Sequence, residues 1–250
     1  MIETQKNRPV ALITGGSRGI GAATAHAFAD TGFRVIITHR DSEAGAEEVL
    51  GSLDGTGHRI LQVSASDTAG LQEAAKSVAS HEGRLDVLVN NAAATRVIAH
   101  DDLDGMDDAF FDQIMRTNVR GPFATIRSLR PLLEQAPDGV VINVSSVAAR
   151  TAAGSNVAYS ASKAALDNMT MCLARALGPA VRVISVAPGL VETHLTHEWS
   201  AERRRRYVER TPLARLGTPE DIAHSIVAAA TRLTFTTGTV ISVDGGRPLA

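Results

Sequence analysis

The chain of 250 residues holds one cysteine, Cys172, so no internal disulfide can form and no four-thiolate zinc site can be assembled. Aromatic residues are only 4% of it. No apolar run is long enough to cross a bilayer, and Met1 to Arg8 is polar, so neither a membrane anchor nor an export signal is expected. An excess of one charge is also missing: 25 basic and 27 acidic residues leave a net charge of −2, which argues against a nucleic-acid-binding face or a polybasic membrane patch. The eight histidines are scattered without ligand spacing, so no catalytic metal is expected. What remains is a soluble cytoplasmic protein with a small-molecule partner, folded as a single domain over 1–250.

Short β-branched runs are present at Val10–Thr14, Arg34–Thr38, Arg59–Val63, Asp86–Val89, Gly139–Val144, Val181–Val186 and Thr239–Val243. Each reads as a strand buried on both faces. Between them, alanine-rich stretches with helical spacing cover Gly19–Asp30, Ser42–Leu53, Asp67–His81, Asp107–Gln135, Ala158–Leu177 and Pro219–Arg232. Strict alternation of strand and helix predicts right-handed crossovers and a doubly wound α/β fold with a parallel sheet. One interval is too long for a simple connection, and it is read as a lid at about 190–212. It contains Leu190, Val191, Leu195 and Trp199, together with Arg203–Arg206, whose four consecutive arginines would spread around a helix. His194 lies in the same interval, without an evident chemical role.

The segment Thr14-Gly15-Gly16-Ser17-Arg18-Gly19-Ile20-Gly21 leaves the first strand and opens the first helix. Gly15 permits a sharp turn, Gly19 a close approach of backbone to a pyrophosphate, and Gly21 close packing of helix on strand. The helix amino terminus then presents N–H groups and partial positive charge to phosphates. The second strand ends Thr38-His39-Arg40, and no acid stands there to take a ribose 2′-hydroxyl. Arg40 and Arg18 can instead hold a 2′-phosphate, so NADP(H) is expected over NAD(H), although Asp41 can draw Arg40 aside.

Tyr159 and Lys163 are four apart in a helical stretch and so share one face, and Ser146 ends the preceding strand. A phenol with an ordinary pKa of about 10 needs a nearby cation to act as acid or base at neutral pH, which Lys163 can supply. Ser146 can exchange a hydrogen bond with a substrate oxygen. These residues argue for a ketone or secondary alcohol substrate. Two alternatives use the same loop: a non-catalytic dinucleotide sensor, and a methyltransferase that would leave Ser146, Tyr159 and Lys163 without a task.

Along nearly its whole length the chain resembles the short-chain dehydrogenase/reductase family. The resemblance rests on Thr14–Gly21, Asn90-Asn91-Ala92, Asn118, Ser146, Tyr159-Ser160-Ala161-Ser162-Lys163, Pro188-Gly189 with Thr193, and Asp244-Gly245-Gly246. It implies a Rossmann-type sheet of seven parallel strands with three helices on each face, and a catalytic tetrad. In that tetrad Tyr159 exchanges the proton, Lys163 grips the nicotinamide ribose, Ser146 polarises the carbonyl and Asn118 holds a relay water. It also implies cofactor contacts from Gly15, Ser17, Arg18, Gly19, Ile20 and Gly21, from His39, Arg40 and Ser64, from Asn91 and Ala92, and from Pro188, Gly189, Val191 and Thr193. Ser64 stands where the family often has an adenine-binding acid, Asp67 being read as a helix cap, and Ala93 stands where a glycine is usual. A homotetramer is implied as well, through helices rich in small residues such as Ala158, Ala161, Ala164 and Ala165.

Overall fold

The computed structural model describes residues 8–193 and 199–249. Seven strands form one parallel sheet in the order β3-β2-β1-β4-β5-β6-β7: β1 Val10–Ile13, β2 Arg34–His39, β3 Arg59–Gln62, β4 Val87–Asn90, β5 Gly139–Val144, β6 Val181–Pro188 and β7 Val240–Val243. Register is continuous across the centre, where Leu12 lies beside Ile36 on one side and Leu88 on the other. The central strands β1, β2, β4, β5 and β6 are buried throughout, as their unbroken apolar runs require.

The helices are α1 Gly19–Asp30, α2 Glu43–Ser52, α3 Thr68–His81, α4 Asp108–Met115, α5 Gly121–Leu133, α6 Ala148–Thr151, α7 Val157–Leu177, α8 Ala201–Glu209 and α9 Pro219–Thr231. Helices α1, α2 and α9 pack on one face of the sheet, where Phe28, Val49 and Ile226 meet Ile13, Ile37 and Ile184. On the other face α3, α5 and α7 bring Val78, Leu129 and Ala174 against Leu12, Leu88 and Val183. Three helices therefore cover each face, the arrangement that strand–helix alternation requires.

The stretch Asp107–Gln135, expected as one helix, is divided. Between α4 and α5 the residues Arg116–Arg120 form a π-helical turn, which admits an extra residue without breaking the apolar stripe and turns Asn118 inward. The short helix α6 lies where no helix pattern was assigned, and α8 lies within the interval read as a lid. Cys172 is exposed on α7, and its thiol faces the Asn168 side chain. His194 and Leu195 fall outside the described residues.

Every strand runs in the same direction, so the segments that follow β1, β4, β5 and β6 emerge at one edge of the sheet. The chain reverses its winding between β1 and β4, and ligands of such sheets bind at the carboxyl edge beside that point. The pitch of α1 against the sheet depends on Phe28, fully buried and edge-to-face with Phe33 at 5.0 Å. Phe28→Ala should lower the unfolding free energy by about 3–5 kcal/mol, the usual effect of emptying an aromatic site. Urea unfolding followed by circular dichroism checks this; a change below about 1 kcal/mol would show that α1 is positioned by other contacts.

Candidate active site

The turn after β1 is built around contacts that side chains would obstruct. Gly15 has φ +67° and Gly19 φ +55°, both in the left-handed region that favours glycine. A Cβ on Gly21 would stand 2.2 Å from the Gly15 carbonyl oxygen, so helix and loop touch backbone to backbone. Asp67, Asp107, Asn156, Ser200 and Thr218 cap their helices with side-chain oxygens, but Arg18, at the start of α1, supplies no such cap. No acid lies in the first turn of α1. That terminus keeps its donors and partial positive charge for an anion, so the cradle fits a dinucleotide pyrophosphate.

The cradle is tied to β4 by groups that include one the sequence pattern does not single out. The Thr14 hydroxyl accepts the backbone N–H groups of Asn91 and Ala92, both at 3.0 Å. The Asn91 amide, expected beside the ribose, donates to the Thr14 and Gly15 carbonyls at 2.9 and 3.0 Å. Its donors are occupied in holding the loop. Thr193 reaches over the same loop, with its methyl group 3.8 Å from the place where a Gly19 Cβ would be. Gly189 is held to β7 through the Val243 carbonyl, and buried Val191 pairs with Gly217.

At the adenosine side, Arg40 pairs with Asp41 on the surface, as the adjacent charges suggested. Arg18 is exposed at the mouth of the loop. His39 is buried at the end of β2, its Nδ1 without a hydrogen-bond partner. The Ser64 hydroxyl lies 3.0 Å from that of Ser66, and Asp67 caps α3 through the Ala69 N–H at 3.1 Å. No acid replaces Ser64.

Beyond β5, Ser146, Tyr159 and Lys163 come together. The helix carrying the last two begins at Asn156, whose side chain accepts the Tyr159 N–H at 2.7 Å and donates to the Arg96 carbonyl at 2.8 Å. An asparagine just before a helical run is a cap signal, so this role was legible. The Lys163 ammonium is almost sealed from water, 3% exposed, and donates to the Val144 carbonyl at 2.7 Å. It stands 5.7 Å from the centre of the Tyr159 ring. Burial pushes the lysine down to about 8, opposed by the charge of Asp167. Burial pushes the Tyr159 phenol up, and the Ser146 hydroxyl that faces it opposes that rise. In the chain alone burial is the larger influence on the phenol; the lowering expected of Lys163 belongs to the site with oxidised nicotinamide bound.

Asn118 is 1% exposed. Its side chain accepts the Ala94 N–H at 2.7 Å and donates to the Ala94 carbonyl at 3.0 Å and the Ser162 hydroxyl at 3.1 Å. It joins the segment after β4 to α7 and so sets the distance between cradle and phenol.

In the lid interval, Trp199 packs on Tyr207 at 4.8 Å and beneath the Arg203 guanidinium at 4.0 Å. Arg204 pairs with Glu192, whereas Arg205 and Arg206 are exposed. The four arginines spread around α8, as their spacing requires. Among the described residues no group of histidine, cysteine and acidic side chains is arranged to hold a metal.

Comparison with known proteins agrees with this geometry. A family model described as enoyl-(acyl carrier protein) reductase matches residues 15–247. A ketoacyl reductase of the granaticin polyketide synthase from Streptomyces violaceoruber is 39% identical over 243 residues, 96% of each chain. A 3-oxoacyl-[acyl-carrier-protein] reductase from Aquifex aeolicus is 35% identical over 98% of this chain and 99% of its own. A short-chain dehydrogenase/reductase structure from Burkholderia xenovorans superposes with a TM-score of 0.91 at 35% identity, over 98% of this chain and 99% of that one.

The bonds of Asn118 give this residue a structural task separable from chemistry. Asn118→Ala leaves the Ala94 N–H and carbonyl without their partner and should lower the unfolding free energy by about 1–3 kcal/mol. Denaturant unfolding checks this; unchanged stability would show that the segment after β4 is held without Asn118.

Proposed function

The chain belongs to the short-chain dehydrogenase/reductase family, and we propose that it moves hydride between NADP(H) and the 3-position of a 3-oxoacyl thioester. One observation carries the reading: two hydroxyl groups, Ser146 and Tyr159, face each other beside a buried ammonium, at the sheet edge that also bears the phosphate cradle. Two convergent donors suit a carbonyl oxygen. The 3-oxoacyl class is taken from the names of the Streptomyces and Aquifex relatives.

A bound reduced nicotinamide supplies the hydride. Ser146 donates a hydrogen bond to the carbonyl oxygen, and Tyr159 gives its proton to that oxygen as negative charge develops there. Lys163, held at Val144, stabilises the phenolate left behind and takes the nicotinamide ribose hydroxyls. Asn118 fixes the spacing and orders the water through which Lys163 is resupplied with protons. In alcohol oxidation the same groups run in reverse.

The cofactor is assigned to Gly15, Ser17, Arg18, Gly19, Ile20 and Gly21 at the pyrophosphate. Ala92, Pro188, Gly189, Val191 and Thr193 line the nicotinamide half. Arg18 takes the 2′-phosphate, since Arg40 is drawn to Asp41, and His39 and Ser64 border the adenosine. The described residues 190–193 and 199–212 are assigned to the substrate lid. We place the chain in the cytoplasm, where exposed Cys172 stays reduced; no helix among the described residues is long and apolar enough to cross a membrane.

We assign a homotetramer on the outer face of α4, α5 and α7, where Phe111, Phe123, Val157 and Met171 are exposed beside Ala161 and Ala164. Ala158, expected at such a face, is buried inside the protomer. Light scattering at micromolar concentration should give four copies; a monomer would remove this assignment.

Tyr159→Phe should lower turnover of a 3-oxoacyl thioester by at least about a hundredfold and leave nucleotide binding nearly intact. The family model's description raises reduction of a carbon–carbon double bond as a second reading. Following NADPH absorbance with a 3-oxoacyl and a 2-enoyl thioester separates the two, and turnover of the enoyl compound alone would reverse the proposal. Arg18→Ala should weaken NADPH binding by about ten- to a hundredfold, the effect of losing a charge-assisted contact, with NADH little affected. Equal loss for both nucleotides, measured by calorimetry, would contradict the 2′-phosphate assignment.

A further inference from the structure

Helix α7 carries three polar side chains at four-residue spacing, Tyr159, Lys163 and Asp167, so all three lie along one face. The chemistry uses the first two. Asp167 is only 7% exposed, and both of its carboxylate oxygens are buried without a hydrogen-bond partner. An isolated carboxylate in that position is strongly disfavoured, so it must take a proton or face compensating positive charge.

The groups around it answer that need. Lys163 stands one turn earlier on α7, and Arg150 approaches from α6. The hydroxyls of Ser145, after β5, and Ser185, on β6, face the carboxylate without reaching it as hydrogen bonds, and all four favour its ionised form. Ser185 also contacts Thr170 at 2.9 Å, and Thr170 receives the Asn143 amide at 2.8 Å, which fixes the floor beneath the carboxylate. Seen from Lys163, the surroundings are the Val144 carbonyl, the Tyr159 ring and Asp167.

We propose that Asp167 is a positioning residue whose carboxylate, one helical turn behind Lys163, holds that lysine as an ammonium ion at neutral pH. The consequence for turnover rests on the function assigned above; the electrostatic claim does not. Burial alone drives Lys163 toward the neutral amine, and Asp167 opposes it through space. Burial also pushes the Asp167 carboxyl up, so the two charges support each other or are lost together.

The chain has three lysines, Lys6, Lys76 and Lys163, so selective ¹³Cε labelling gives three signals, with Lys163 assigned by its loss in Lys163→Arg. In the wild type Lys163 should titrate near 8. Asp167→Asn should lower that midpoint by at least one pH unit, a tenfold rise in the acid dissociation constant, and Asp167→Glu should restore most of it. An unchanged midpoint in folded Asp167→Asn overturns the proposal. Because this variant can fail to fold, the Asp167 carboxyl carbon is also followed in the wild type: it should be ionised at pH 7, and a protonated group there overturns the proposal whatever the variants do. Turnover of Asp167→Asn should fall with its ammonium fraction, at constant KM. A shifted lysine midpoint with unchanged turnover supports the place given to Asp167 and counts against Lys163 in the chemistry.

Discussion

A primary ammonium sealed inside the protein is the constraint on which the site depends. Lys163 is almost wholly buried and donates to one backbone acceptor, the Val144 carbonyl, so its charge leans on that carbonyl and on the carboxylate behind it. Both partners come from elements that cannot move independently: Val144 closes a fully buried strand, and Asp167 sits on the same 21-residue helix as the lysine. The same helix carries Tyr159, and Asn156 fixes where it begins. Lysine, phenol and carboxylate are thus spaced by helical geometry, and their separation is as rigid as the helix.

The other half of the site works by a complementary arrangement. Donors at the start of α1 are left without a side-chain cap, and the turn before them is stripped of Cβ atoms, so that a phosphate can replace the missing partners. Thr14 and Asn91 bind that turn to β4, and Asn118 binds the segment after β4 to α7. A short set of hydrogen bonds therefore links the cradle, through the segment after β4, to the helix that carries the phenol. Its buried members, Thr14 after β1, Asn118 in the π-helical turn and Ser162 on α7, are each hydrogen-bonded, as buried polar groups must be.

The fold was legible because strands buried on both faces must be continuous apolar runs, and the glycine loop was legible because its three constrained positions each have one steric reason. The π turn at Arg116–Arg120 was hidden, since an inserted residue alters the backbone without spoiling the periodicity of the long stretch Asp107–Gln135. Asn91 shows the opposite difficulty: its place was found, but whether an amide faces a ligand or its own backbone depends on distances that spacing does not encode. The direction in which Tyr159 is displaced depends on desolvation, which a sequence does not state. Asp167 reads as an ordinary charge in a long helix, and its only signal is its position four residues beyond the lysine, on the lysine's own face.

The central claim is that the buried ammonium tunes the phenol once the site is loaded. With only Tyr159 and Tyr207 in the chain, ¹³Cζ tyrosine labelling allows the Tyr159 midpoint to be measured with and without saturating oxidised dinucleotide. Binding should bring the wild-type midpoint well below the ordinary phenol value of about 10, while in Lys163→Met it stays above that value. An equal fall in both proteins would contradict the account, because the ammonium would then contribute nothing to the acidity of the group that transfers the proton.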